Sequence, residues 1–259
     1  MDHERTSNGT DRTHGRPVVD RAARAFSFVD YLFRRTNRYG DIYPNDEPFG
    51  VIDGTDADHV VVIGEATAMG YGVVTHQVGL AAQFARLLSG RTARGTRWST
   101  VALPGNSIKA GPRLVEEMQG SLTRADFVIL VAGIADTLLL RSAASWTLHL
   151  TATLDAVFAD VAIDALVLVA EIPPLSKDGA ISRLARLASG RQSRLLNQAT
   201  RRVVEPRHRC EVVPFPADLQ QELWHQELRP ASYIAMYAEW AAAILRVAEA
   251  SGIRSAPRF

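Results

Sequence analysis

The chain has 259 residues, of which 47% are hydrophobic and 22% are charged, and its formal net charge is +1. This length and this hydrophobic fraction allow one large domain with a sizeable core and argue against wholesale disorder. The 29 basic and 28 acidic residues nearly cancel, which argues against a protein whose main task is to coat nucleic acid. Cys210 is the single cysteine, so an intramolecular disulfide is excluded and a buried, inert thiol is expected.

The first part of the chain differs in composition from the rest. Apolar residues at helical spacing over residues 18–38, bordered by arginines, predict an amphipathic helix. We expect it to dock on its own domain, with a partner protein or a membrane surface as the alternatives. Glycines and prolines predict a loop over residues 40–58. The expected organisation is a disordered tail over 1–17, a helix and linker over 18–50, a domain over 51–252 and a C-terminal tail over 253–259.

Targeting and cofactor signals are absent from the sequence. The N-terminus is polar with no apolar run behind it, and no stretch is long and apolar enough to span a bilayer. We therefore expect a cytoplasmic protein without stable membrane insertion. Gly64, Gly70 and Gly72 lack the dinucleotide-binding spacing, and no recurring ligand spacing predicts a metal site, so no cofactor is expected.

Short apolar runs then alternate with helical patterns. The predicted strands cover residues 59–63, 98–103, 127–132, 165–170 and 210–215. The predicted helices cover residues 77–89, 112–120, 144–158, 181–204 and 232–250. Apolar strands alternating with helices indicate a three-layer α/β/α sandwich around a five-stranded parallel sheet, with functional groups at the C-terminal ends of the strands.

The helix predicted over residues 181–204 is rich in arginine. Its leucines, including Leu187, Leu195 and Leu196, are expected to face the core. Its arginines favour a solvated surface, with an anion-binding face as the alternative.

The loop after the first predicted strand reads GEATAMGYGVVTH over residues 64–76. It resembles the first sequence block of the SGNH, or GDSL-type, hydrolases, in which a serine stands at the position of Ala66. The second block is matched by Gly105, and the third, Gly-x-Asn-Asp, by GIAD over residues 133–136. The fifth, Asp-x-x-His-Pro, is best matched by QELRP over residues 226–230, followed by a tyrosine and a tryptophan. The resemblance covers residues 51–250 and implies the flavodoxin-like fold of these esterases.

The resemblance also implies what the active residues would be. In the family a serine attacks an acyl carbon, a histidine takes its proton, an acid orients the histidine, and an asparagine helps to hold the oxyanion. In this chain Ala66 stands at the serine position and Arg229 at the histidine position. Gln226 stands at the acid position and Ala135 at the asparagine position. Alanine has no nucleophile, and arginine stays protonated and cannot act as a general base. We therefore predict a catalytically silent protein that binds a small acyl or ester-like ligand or a protein partner.

The expected pocket consists of family-like positions at the strand ends: Glu65, Ala66, Gly105, Asn106, Gly133 and Asp136. We expect the two carboxylates to bond loop N–H groups, and His76 to have a structural role. The alternative function is an active carboxylic-ester hydrolase or acyltransferase, with Thr67 as the nucleophile or with water activated by His225. A further alternative is a structural subunit that pairs with an active relative through the N-terminal helix.

Overall fold

The structure is a computed structural model that describes residues 42–175, 183–217, 219 and 230–252. The predicted N-terminal helix, both tails, His225, Gln226 and Arg229 lie outside these residues. The strands are β1 (Phe49–Ile52), β2 (Asp58–Gly64), β3 (Thr96–Ala102), β4 (Phe127–Val131), β5 (Leu166–Ala170) and β6 (Cys210–Val213). The α-helices are α1 (Leu80–Thr92), α2 (Gly111–Glu117), α3 (Ile134–Leu138), α4 (Ala143–Asp160), α5 (Arg183–Val204) and α6 (Pro230–Ala250).

In the described part of the chain, the strands form one sheet with the order β1-β3-β2-β4-β5-β6. Strands β2 to β6 are parallel, and each overlaps one of the five predicted strands. The predicted α/β sandwich is therefore confirmed. The short helix α3 was not predicted, because five residues are too few to show a helical period.

The sheet also contains β1, which pairs antiparallel with β3. The prediction of a loop over residues 40–58 is wrong for Phe49–Ile52. Gly50 is typical of a turn, but in this strand it allows the ring of Trp98 to lie close to the backbone. A Cβ at this position would lie 2.5 Å from Cζ2 of Trp98. The glycine of this strand therefore marks the place where an indole ring lies against the backbone.

Helices cover both faces of the sheet. On one face, Phe84 of α1 and Trp240 of α6 are buried in a cluster with β-strand residues such as Ile129. On the other face, Trp146 of α4 and Leu196 of α5 are buried in a second cluster. The central strands β4 and β5 are hydrophobic and buried along their whole length because both of their faces are covered.

Helix α5 is the element where the predicted burial is partly wrong. Leu196 is fully buried as expected, but Leu187 and Leu195 are 65% and 41% exposed. Ala199 and Val203 are buried with Leu196 instead. Small side chains such as that of Ala199 form part of the core-facing stripe. A prediction made from the leucines alone therefore placed part of this stripe wrongly.

Cys210 begins β6 and is buried, as predicted. Burial raises the pKa of its thiol to about 12, so it stays protonated and unreactive near neutral pH. Within the described ranges, none of the helices combines the length and the apolarity that crossing a bilayer requires.

Candidate functional site

Three strands end side by side at one edge of the sheet. Gly64 at the end of β2 is paired with Ala102 at the end of β3 and with Val131 at the end of β4. Two hydrogen bonds extend these pairings into the loops, from the N–H of Glu65 to Val131 at 3.0 Å and from the N–H of Leu103 to Gly64 at 2.7 Å. The loops that match the first, second and third family blocks therefore leave the sheet together.

The first of these loops makes a tight turn at Ala66. Its φ is +31°, in the left-handed region, which costs an alanine about 1–2 kcal/mol. Its carbonyl accepts the N–H groups of Met69 and Tyr71, both at 3.0 Å. The side chain of Ala66 is half-buried, and its own N–H has no acceptor among the described residues.

The second loop presents a bare backbone. Gly105 has a φ of +63° and Asn106 a φ of +50°, and both residues are exposed. A Cβ added to Gly105 would have no neighbour within 4 Å. The N–H of Gly105 likewise has no acceptor among the described residues, so this edge of the sheet offers two free backbone donors.

Glu65 holds the first and third loops together. Its carboxylate accepts the N–H groups of Gly133, of Ile134 at 2.6 Å and of Ala135 at 3.1 Å. The residue is 3% exposed. Burial raises the pKa of this carboxyl to about 7, although the three N–H groups act in the opposite direction.

Asp136 ties the third loop to the second. It is fully buried and accepts the Ser107 hydroxyl and the Ile108 N–H, each at 2.9 Å. The guanidinium of Arg141 pairs with it and also donates to the Ser107 hydroxyl at 3.2 Å. The two carboxylates thus bond loop donors and fix the relative positions of three loops.

Thr67 follows Ala66 but faces the interior. Its hydroxyl oxygen is inaccessible to solvent and has no hydrogen-bond partner among the described residues. A nucleophile must reach a substrate carbonyl and needs a base within hydrogen-bonding distance. This geometry does not favour Thr67 as a replacement for the serine.

His76 forms a structural contact with Asp46. Its Nδ1 lies 3.0 Å from Oδ1 of Asp46, and this oxygen also accepts the backbone N–H of His76 at 2.7 Å. The other carboxylate oxygen of Asp46 accepts the Thr75 hydroxyl. Burial pushes the pKa of Asp46 upward, but these hydrogen bonds outweigh it and lower the pKa to about 2. The contact pins the segment before β1 against the loop after β2.

The sequence reasoning missed Asp46 and Arg141. Asp46 lies in the segment read as a loop, and no local pattern connects it with His76, which is 30 residues away. Arg141 follows Asp136 by slightly more than one helical turn. This spacing is only a weak indication in the sequence that the two side chains pair. Among the described residues, no group of three or more His, Cys, Asp or Glu side chains is arranged to hold a metal ion.

The parallel sheet and the three loops at its edge form the α/β/α architecture of the SGNH hydrolases, which include the GDSL-type lipases and esterases. The structure is similar to the lipase Lip_vut3 from a goat rumen metagenome, with 14% identity and a TM-score of 0.57, covering 72% of this chain and 97% of that one. It is similar to the psychrotrophic esterase EstA from a Pseudoalteromonas species, with 12% identity and a TM-score of 0.53, covering 74% and 99%.

A third similar structure is a member of the lipolytic G-D-S-L family from Veillonella parvula. It is 14% identical, with a TM-score of 0.52 and coverage of 73% of this chain and 99% of that one. Neither the family models nor the curated protein sequences give a match to this chain. At identities this low, the structural similarity shows only the fold. The activity of the chain has to be argued from its own residues.

Proposed function

We propose that the chain is a catalytically silent relative of the SGNH esterases that binds a small acyl or ester-like ligand at the ends of β2, β3 and β4. The observation that carries this proposal is the pair of free backbone N–H groups at Ala66 and Gly105, beside positions where the family has its nucleophile and asparagine. The loops keep a binding geometry while the reactive side chains are replaced.

Loss of turnover follows from the side chains at these positions. Ala66 offers a methyl group in place of an alcohol, and Ala135 offers no amide donor. In subtilisin, removing the nucleophile of the catalytic triad lowers turnover by about a million-fold. Removing one oxyanion donor lowers it by roughly a hundred- to a thousand-fold. Either loss is sufficient to abolish ordinary esterase activity.

Binding is supported by the features that survive. A backbone N–H donates to a carbonyl oxygen with a net gain of about 0.5–1.5 kcal/mol. Ala66 is half-buried and Gly105 faces open space, so a ligand oxygen can approach both loops. The backbone of Ala66 has a left-handed conformation, which turns the chain tightly at the end of β2. Glu65 and Asp136 hold the loops in place without the ligand, which reduces the entropy lost on binding.

Saturation-transfer NMR with ethyl butyrate tests the proposal on the full chain. We expect saturable binding without ester consumption. In Ala66→Leu the larger side chain fills the space beside the free N–H groups, so the affinity should fall at least about tenfold, a loss of about 1.4 kcal/mol. No binding by the unmodified chain, or release of butyrate, would contradict the proposal.

Ala93→Leu is the matched control. Ala93 also has a left-handed backbone, with a φ of +55°, but it lies at the C-terminal end of α1. Both variants place a leucine at a positive φ, so both have a similar backbone cost. Only Ala66→Leu should lose ethyl butyrate, and an equal loss in both variants would show that the effect is structural.

A further inference from the structure

A cavity lies between α5 and the ends of β5 and β6. Its volume is about 460 Å³, and its lining includes Glu171, Arg194, Gln198, Arg201 and Phe215. We refer to this cavity as the α5 cleft. Pockets for small ligands have volumes of about 300–1,000 Å³. Because β5 is the second neighbour of β2 in the sheet, the cleft lies on the order of 10 Å from the loop of Ala66.

The wall of the α5 cleft is rigid. Asn197 of α5 uses both ends of its amide on the backbone of Ile172, donating to the carbonyl at 3.0 Å and accepting the N–H at 2.9 Å. Phe215 is 6% exposed and packs edge-on against Trp240 at a centroid distance of 5.3 Å. These contacts hold the segments after β5 and β6 in place, so the cleft is formed before any ligand arrives.

The charges in the cleft favour an anion. Glu171, 8% exposed, pairs with the guanidinium of Arg201, which leaves that pair neutral. Arg194 lies seven residues before Arg201 on the same helix and lines the same cleft. Among the described residues Arg194 has neither a hydrogen-bond nor an ion-pair partner. The described residues that line the cleft therefore have a net charge of +1, carried by a guanidinium that can take a carboxylate in a bidentate contact.

We propose that the α5 cleft binds a small organic monoanion, a carboxylate on a short hydrocarbon body. Arg194 holds the carboxylate and Gln198 lies one turn further along α5 to donate to it. The body packs against Ile172, Pro174 and Phe215. The carboxylate of Glu171 repels a second negative charge, which selects monoanions over phosphates and polyanions. The proposal does not depend on the function proposed for the loop of Ala66.

The test is isothermal titration of the full chain with hexanoate and benzoate, with hexanamide as the neutral comparison. We expect saturable binding of at least one acid, and at least about tenfold weaker binding of hexanamide. Failure of both acids to bind saturably, or equal binding of hexanoate and hexanamide, would overturn the proposal.

Two variants locate the site. Arg194→Gln should weaken carboxylate binding at least about fivefold, because it removes the free cation. Arg202→Gln is the matched control, since Arg202 is also exposed on α5 but lines the groove between α4 and α5, which shares only Gln198 with the cleft. Equal weakening in the two variants would show that only the general charge of the helix matters and would overturn the proposal.

Glu171→Gln gives an outcome in the opposite direction. It frees Arg201 and removes the repelling carboxylate, so hexanoate should bind several-fold more tightly. An unchanged or lower affinity would contradict the proposed charge arrangement.

Ala66→Leu should leave hexanoate binding unchanged. Loss of hexanoate in Ala66→Leu but not in Arg194→Gln would assign the acid to the loop of Ala66, which overturns this inference and leaves the proposed function standing.

Discussion

The carboxylate of Glu65 accepts the backbone N–H of Ala135 at 3.1 Å. This bond joins the residue that precedes Ala66 to the third loop. The side chains that hold the loops together are therefore those of Glu65 and Asp136, and not those of Ala66 and Ala135.

The first prediction concerns the role of Glu65 in holding the loops together. Glu65→Ala removes the acceptor of three N–H groups, and one unpaired buried donor costs about 1–3 kcal/mol. Because Ile134 and Ala135 are partly exposed, water can satisfy some of these donors. We expect the free energy of unfolding, measured in urea, to fall by about 2–4 kcal/mol. Glu117→Ala is the control: its exposed pair with Arg113 should contribute less than about 1 kcal/mol. Similar values for the two variants would contradict the role of Glu65.

The second prediction concerns pH. The pKa of Glu65 is raised from 4.5 to about 7 by burial, so the folded chain keeps this proton to a higher pH than the unfolded chain does. The stability that this group contributes is present below about 4.5 and is lost as the pH rises through about 7. Glu65→Gln is neutral at every pH. The stability of the unmodified chain relative to this variant should therefore decrease across that window, and a constant difference would contradict the shifted pKa.

The third prediction separates Thr67 from a catalytic role. Its hydroxyl is buried without a partner among the described residues, so Thr67→Val should keep the stability or raise it by up to about 1 kcal/mol. Thr100→Val is the control, because the Thr100 hydroxyl donates to the carbonyl of Ala68 at 2.7 Å. That variant should lose about 1–2 kcal/mol in thermal or urea unfolding. A large loss in Thr67→Val would show that its hydroxyl has a partner.

The fourth prediction tests the contact that the sequence did not reveal. In Gly50→Ala the new methyl group would lie 2.5 Å from the ring of Trp98, and overpacking of this kind costs about 1–3 kcal/mol. Gly90→Ala is the comparison, because a Cβ at this position of α1 meets nothing within 4 Å. Replacing a helical glycine there should stabilise the chain by up to about 1 kcal/mol. The two alanine variants should thus change the unfolding midpoint in opposite directions.

The sequence predicted the parallel core because β2, β4 and β5 contain continuous apolar runs between helical patterns. It did not predict β1, because Pro48 and Gly50 are typical of a turn, and only the position of Trp98 explains the glycine. The core-facing stripe of α5 was misplaced for a similar reason, since the buried stripe includes Ala199 as well as Leu196. Packing partners that are distant in sequence decide these cases.

The candidate site was predictable as far as its loops follow a family pattern. The pattern placed Ala66, Gly105 and Ala135 after neighbouring strands, and the structure describes all three there. The ion pair of Arg141 with Asp136 and the contact of His76 with Asp46 depend on side-chain geometry between loops, which carries no signal in sequence order. For the α5 cleft, the sequence indicated only an anion-binding face of the helix as an alternative. The residues after β5 and β6 that complete the cleft could not be predicted, because no local pattern connects them with the helix.

The most direct test of the central claim is labelling of the purified, unmodified chain with a fluorophosphonate, followed by intact-mass analysis. We expect no covalent adduct, because Ala66 has no hydroxyl and the Thr67 hydroxyl is buried without a partner among the described residues. On the proposed function, Ala66→Ser should also gain little turnover of p-nitrophenyl esters, because Ala135 has no amide donor and Arg229 cannot act as a general base. A stoichiometric adduct on the unmodified chain, at Thr67 or at any other residue whose substitution abolishes ester cleavage, would contradict the account.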